Sequence, residues 1–343
     1  MANRMLHDSA NLELPSSTRR DREAIRRRLL FWRKGLLAVG RHGLIFWLLV
    51  LSVSSPLSSP LLGGPPEASI IFEAESPYHY VRVVDGGGIR RMQFRRSGQD
   101  FEESAINLRN PLDFPLHYYE LMMAGFAHQP APKRILFVGL GGGTLCRVIQ
   151  HYYPETQLDV IELDPVVVDV AKKYFGFLET ARTKIYNRDA RVQIRQFSRQ
   201  GNKYDLIFLD AFRGGYIPYH LTTKEFLELV RSLLESDGVV VSNLQPGFAS
   251  YHYQRRTLAS VFPNQWAYGE FGNVIVITSM EKSPPSRDQL LRRAERLQQE
   301  RQFNVFLPGI IERMQSERDY QEHGPILTDD FAPTDVLRSI PQE

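Results

Sequence analysis

From Lys133 onward the chain alternates short apolar runs with amphipathic stretches. RILFV, LDVIEL, TKIYN, YDLIFLD, GVVVSN and NVIVIT read as strands, and most intervals between them carry helical spacing. That order predicts an α/β domain over residues 132–282, an open and mostly parallel sheet with helices on both faces. Upstream, from Ser69 to about Arg96, SIIFEA, YHYVRVVD and IRRMQFRR are rich in β-branched and aromatic residues, and Gly86-Gly87-Gly88 offers a hairpin turn between the last two. Residues 69–131 are therefore expected to form a small β subdomain that leaves through a helix over Pro111 to Phe126. Residues 283–343 hold a charged helix, about Ser286 to Gln302, and a tail containing LTDDFAPTDVL. No internal repeat is visible.

The first 68 residues follow a different pattern. Ile25, Leu29, Trp32 and Leu36 share one face of a basic helix over 19–41, and an apolar run from Gly43 to Val53 follows it. That run is shorter than the roughly twenty residues a membrane-crossing helix needs. A signal peptide, a short anchor, a helix lying on the membrane surface and an ordinary buried helix all fit its length. Residues 1–41 hold ten Lys and Arg against four Asp and Glu, whereas the rest of the chain holds 32 against 35. The positive charge thus belongs to the arm, and nothing in the body calls for nucleic acid. The nine Lys and Arg between Arg19 and Arg41 would retain the N-terminus in the cytoplasm, so a crossing would export the body. The expectation is a cytoplasmic protein that touches a membrane surface through residues 19–62, with export as the alternative. The lone Cys146 excludes an intramolecular disulfide and a cysteine-based zinc site.

Candidate chemistry gathers at the carboxyl ends of the predicted strands. VGLGGGT, Val138 to Thr144, follows a strand and opens a helix, and Gly139, Gly141 and Gly143 let backbone approach a ligand that a Cβ would repel. Glu162 ends the next strand about twenty residues on, where a carboxylate accepts ribose hydroxyls. Thr144 stands where a dinucleotide fingerprint places a third small residue, which disfavours NAD(P). Asp189-Ala190 follows the third strand, placed for an adenine amino group, and Asp210 ends the fourth. An Asp at such a position can instead cap a helix or close a turn. No His, Cys or Asp grouping has metal spacing, so no metal is expected.

These residues and their neighbours resemble the spermidine synthase (polyamine aminopropyltransferase) family, in particular its divergent bacterial branch. The likeness runs from about Glu73 to Gly247 through ESPYHYVRV, YYELM, ILFVGLGGGTL, VIELDP, LDAF, HLTTKEF and LLESDGVVVSN. It implies a Rossmann-like sheet of the AdoMet-methyltransferase type that binds decarboxylated S-adenosylmethionine or S-adenosylmethionine. Glu162 would hold the ribose, Asp189 the adenine, and Asp210 would accept the proton of an attacking amine. Tyr78, His79, Tyr119, Arg213 and Tyr216 would stand on the substrate side.

Several positions depart from that family's pattern. The glycine loop lacks the usual Asp, His79 replaces a Gln, and Tyr119 replaces the His of a YHE triplet. Arg213 stands where a second acidic residue would grip a polyamine, which implies an acceptor other than putrescine. Tyr216, Tyr219 and His220 would either gate the site or merely pack. Aminopropyl transfer to an amine leads the functional readings. Methyl transfer to another nucleophile on the same scaffold, and a membrane-associated nucleoside-binding protein without turnover, are the alternatives. A homodimer is left open.

Overall fold

The computed structural model describes residues 68–269 and 272–333. The expectations for the basic helix and the apolar run of residues 19–62 lie outside the described residues. Among those described, no helix is long and apolar enough to cross a membrane.

A four-stranded antiparallel sheet comes first, with β1 (Ser69–Glu75), β2 (Tyr80–Gly86), β3 (Ile89–Arg96) and β4 (Gln99–Asn107) in chain order. The β2–β3 turn is Gly87-Gly88, with φ of 63° and 82°, and the β3–β4 turn is Ser97-Gly98, with φ of 47° and 77°. Positive φ at both central residues gives a turn whose twist matches that of the flanking strands. β2 and β3 form the hairpin expected around Gly86–Gly88. β4 is a strand the pattern concealed, because Glu102 and Glu103 interrupt its apolar alternation. Val81, Val83, Met92, Phe94 and Ile106 of this sheet pack on Val167, Val170 and Phe175, in and just after α4 (Pro165–Tyr174). Burying each such aliphatic or aromatic side chain is worth about 1.5–3 kcal/mol. The small sheet is thereby fastened to the larger domain.

Two short helices, α1 (His117–Met122) and α2 (Gly125–His128), replace the single helix expected over Pro111 to Phe126. The second sheet contains β5 (Arg134–Val138), β6 (Gln157–Glu162), β7 (Thr183–Asn187), β8 (Tyr204–Leu209), β9 (Leu234–Leu244), β10 (Asn264–Tyr268) and β11 (Val274–Ser279). Their order is β10-β11-β9-β8-β5-β6-β7, parallel from β9 to β7, with β11 and β10 antiparallel at the other edge. Ile135 and Phe137 of β5 face α3 (Thr144–Tyr152), whereas Leu136 and Val138 face α5 (Ala190–Arg199). This period-2 division of apolar residues between two helical layers is the arrangement the strand runs implied. Helices α6 (Lys224–Ser232) and α7 (Ser250–Val261) complete the α5 side.

Helix α8 (Arg287–Arg301) buries Leu290, Ala294 and Leu297 on the α3 side, and Ser286 and Gln289 close a capping box at its start. Helix α9 (Leu307–Glu312) packs beside it. The LTDDFAP segment has a structural task. Asp329 pairs with Arg191 and accepts from the Thr223 hydroxyl at 2.8 Å, while the Tyr219 hydroxyl reaches the carbonyls of Thr328 and Phe331 at 2.6 Å. The tail thus straps the 3-10 turn Tyr219–Leu221 to α5 and α6.

Candidate active site

Strand order alone locates the crevice. β5 precedes β6 and β8 in the chain but lies between them in the sheet, so the connections from the carboxyl ends of β5 and β8 diverge to opposite faces. At this point a cavity of about 270 Å³ opens between the second sheet and the first. Gly139 leaves β5 with a φ of 94°, and a Cβ there would strike the backbone carbonyl of Asp210. Only glycine lets these two strand ends close together.

Glu162 lies at the floor of the cavity and is 8% exposed. Its Oε2 accepts from the Leu140 backbone N–H and its Oε1 from that of Asp164, both at 2.9 Å. Burial raises its pKa, and these two N–H groups oppose the rise. The carboxylate is therefore fixed by backbone while its remaining lone pairs stay available for a ligand.

His79 enters from the turn between β1 and β2. Its Nδ1 lies 2.8 Å from Asp164, its ring stacks on Phe94 at 4.0 Å, and Ser76 also hydrogen-bonds to Asp164. Burial works against an ionised Asp164, yet the bonds from His79 and Ser76 outweigh it and lower its pKa. An ionised Asp164 can only accept, so His79 donates from Nδ1. The opposite nitrogen, Nε2, is buried without a partner among the protein atoms, on a side chain that lines the cavity.

Asp189 lines the cavity and also caps α5, accepting from the Val192 N–H at 3.0 Å. Its second oxygen lies 3.0 Å from His220 Nε2, and that contact lowers its pKa. Ala190, the first residue of α5, lines the same edge. The capping role weighed for Asp189 is present, on a side chain that also lines the cavity.

Asp210 follows β8 directly. Asn243 donates to its Oδ1 at 2.9 Å, and the Tyr118 hydroxyl reaches Oδ2 at 3.4 Å. Asn273 donates in turn to Asn243 Oδ1 at 2.9 Å, which fixes the amide so that its NH₂ faces the carboxylate. Burial pushes the Asp210 pKa up to about 7, against the pull of Asn243 and Tyr118. Glu103 of β4 lines the cavity too. Burial and the nearby Asp210 charge push it up to about 8, opposed by the N–H groups of Gly215 and Gly214.

The cavity wall includes Gly139, Gly141, Glu162, Asp189, Ala190, Asp210, His79, Tyr119 and Arg213 of the residues singled out from the sequence. His220 lines it as well, whereas Gly143, Tyr78, Tyr216 and the tail-bound Tyr219 lie elsewhere. Gly143 caps α3 with a φ of 71°, and a Cβ there would crowd the Phe177 ring, so its need for glycine comes from packing. Tyr78 and Tyr216 line an adjoining cavity, which Arg213 also borders, and the Arg96 guanidinium lies 4.9 Å over the Tyr216 ring. Tyr119 is buried and its hydroxyl lies 3.0 Å from Ser104 Oγ. Among the described residues, no group of His, Cys, Asp and Glu is arranged to hold a metal.

Sequence reasoning passed over Glu103, Tyr118, Asn243 and Asn273. Asn243 was within reach: a polar residue closing the apolar run GVVVSN, at the same sheet edge as Asp210. Glu103 was hidden in a strand that did not read as one.

A Spermine/spermidine synthase domain matches residues 116–265. The chain is also 34% identical over 297 residues to a polyamine aminopropyltransferase of Vibrio vulnificus, spanning 84% of this chain and 98% of that one. It belongs to the polyamine aminopropyltransferase family. Solved polyamine aminopropyltransferase folds resemble it as well. A probable spermidine synthase from Corynebacterium glutamicum gives a TM-score of 0.56 at 19% identity, over 73% of this chain and 98% of that one. A spermidine synthase in complex with the transition state analogue AdoDATO gives 0.55 at 18%, over 71% and 82%. The family likeness expected between Glu73 and Gly247 thus extends over most of the chain.

Proposed function

We propose that this chain transfers an aminopropyl group from decarboxylated S-adenosylmethionine to a primary amine. The observation that carries this reading is Asp210: a half-buried carboxylate at the strand crossover, aimed by Asn243 and Tyr118, in the same cavity as the backbone-held Glu162. In this reading Glu162 accepts the ribose hydroxyls, Asp189 and Ala190 face the adenine, and Gly139 and Gly141 let the nucleoside approach the backbone. His79 Nε2 accepts from a hydroxyl beside Glu162. Tyr119 and Arg213 border the acceptor, with Tyr78 and Tyr216 at the outer mouth.

The chemistry requires little of the protein beyond placement. The amine lone pair attacks the methylene carbon attached to the sulfonium. That carbon–sulfur bond breaks, and its electron pair neutralises the sulfur to give methylthioadenosine. The nitrogen becomes cationic as its bond forms and gives its proton to Asp210. A carboxyl with a pKa near 7 is a stronger base than an ordinary carboxylate, and deprotonation of the attacking amine needs one. Orientation of two reactants in one cavity supplies much of the rest.

The proposal includes a cytoplasmic setting, with residues 19–62 holding the protein at an anionic membrane surface. Domain limits at 68/69, 131/132 and 282/283 go with it. The test of function is a transfer assay with purified protein, decarboxylated S-adenosylmethionine and primary amines, run beside Asp210→Asn. Methyl transfer from S-adenosylmethionine without aminopropyl transfer would replace this reading with the methyltransferase one.

A further inference from the structure

Arg213 occupies a position where the family resemblance leads one to expect an acid, yet the cavity is not short of carboxylates. Glu103 reaches it from the first sheet, on the strand whose neighbouring residues Ser104 and Ala105 run under the glycine loop. A Cβ on Gly141 would lie 3.4 Å from Ser104 and 3.7 Å from the Glu103 carbonyl, and Thr144 donates to the Ala105 carbonyl at 2.9 Å. The Glu103 carboxylate faces the Gly214 and Gly215 N–H groups, in the loop that follows Asp210. That loop packs closely on the hairpin, since a Cβ on Gly215 would lie 3.0 Å from the Phe101 ring. Glu103 therefore sits between the glycine loop and the loop after β8, close enough to Asp210 for the two charges to oppose each other.

We infer that Glu103 and Asp210 together form the binding site for a primary ammonium group of the substrates, the second carboxylate coming from β4 instead of the loop after β8. This rests on the proposed aminopropyl transfer. Two carboxyl groups share this cavity, and the Asp210 charge disfavours ionisation of Glu103, an opposition that a cation placed between them relieves. The backbone N–H groups at Glu103 offset part of its burial, so an incoming ammonium has less desolvation to compensate. Independently of the acids, His79 Nε2 shows that the cavity is built for a ligand: it is a buried polar atom, unpartnered within the protein, on a side chain that is 8% exposed. The ammonium can be that of the acceptor amine or the one on the donor's aminopropyl tail. Both have the same chemistry, and an experiment separates them.

The substitution is Glu103→Gln, which keeps the volume and an acceptor for the loop N–H groups and removes the charge. Calorimetry with methylthioadenosine, decarboxylated S-adenosylmethionine and putrescine, on wild type and variant, reads binding directly. Steady-state transfer reads KM against kcat. The expected result is unchanged methylthioadenosine affinity, since that ligand has no ammonium. Either putrescine KM rises or the affinity for decarboxylated S-adenosylmethionine falls, by about ten- to hundredfold, the loss of one charged hydrogen bond. A rise in putrescine KM alone assigns the site to the acceptor, and loss of donor affinity alone assigns it to the aminopropyl tail. Glu103→Asp should recover part of the loss. Equal affinity for all three ligands in the variant would overturn the inference. So would parallel weakening of methylthioadenosine, which would make Glu103 only an anchor for the loop. Absence of transfer in the wild type would overturn the proposed function instead, and the calorimetric arm would still decide the ammonium site.

Discussion

Replacing Asp210 by Asn should stabilise the free protein while removing its activity. The carboxyl ordinarily ionises near 3.8, and burial moves it to about 7. At 1.36 kcal/mol per pH unit, keeping it ionised in the folded state costs about 4 kcal/mol. The sign follows from proton counts. Between about pH 4 and about pH 7 the unfolded chain has released this proton and the folded chain has kept it, so the Asp210 contribution to stability falls as pH rises through that window and is level above it. Asn cannot ionise, and it can still accept from Asn243 through its carbonyl oxygen. The variant's stability relative to wild type should therefore grow by about 3 kcal/mol between about pH 4.5 and about pH 8.5. Urea denaturation of both proteins at the two pH values measures this, through midpoints and slopes. A stability difference that stays constant with pH would refute the buried-carboxylate argument. Greater stability with lost activity is the exchange expected where a functional group is held against its solvation preference.

Other outcomes follow from the same geometry. Glu162→Ala should weaken methylthioadenosine more than tenfold, the loss of a charge-assisted hydrogen-bond pair, and calorimetry that finds equal affinity would remove Glu162 from the site. Gly139→Ala places a Cβ against the Asp210 carbonyl at a φ of 94°, so it should destabilise the protein by at least about 1–3 kcal/mol and lower activity; an unchanged denaturation midpoint would contradict that contact. Full-length protein should sediment with anionic vesicles and release them as salt rises, whereas a chain lacking residues 1–64 should stay in solution; equal binding by both would exclude the arm as the membrane contact.

The main sheet was legible because its strands are buried on both faces and read as unbroken apolar runs such as RILFV and VVVSN. The positions of Glu162 and Asp210 on the cavity were legible because strand ends at one sheet edge follow from that alternation. What escaped was contributed across space. β4 meets the cavity with Phe101, Glu102 and Glu103, but adjacent acids in QDFEESAIN broke the period that reveals a half-buried strand. The NQWAY strand, β10, lies at the sheet edge with only its last two residues buried, and its apolar signal is correspondingly weak. Gly143 and Gly139 look alike in VGLGGGT, yet one accommodates Phe177 and the other the Asp210 backbone, a distinction that exists only in the folded chain. Arg213 stands out along the chain, whereas Glu103, which reaches the same cavity from the other sheet, has no chain-local pattern to reveal it.

The central claim is aminopropyl transfer with Asp210 as proton acceptor. Its most direct test is the product balance when purified protein is given decarboxylated S-adenosylmethionine and a panel of primary amines. The account predicts one methylthioadenosine formed per aminopropylated amine, with transfer rising as pH increases through about 7 and lost in Asp210→Asn. Full transfer by Asp210→Asn, or S-adenosylmethionine converted to S-adenosylhomocysteine while the decarboxylated donor stays intact, would contradict it.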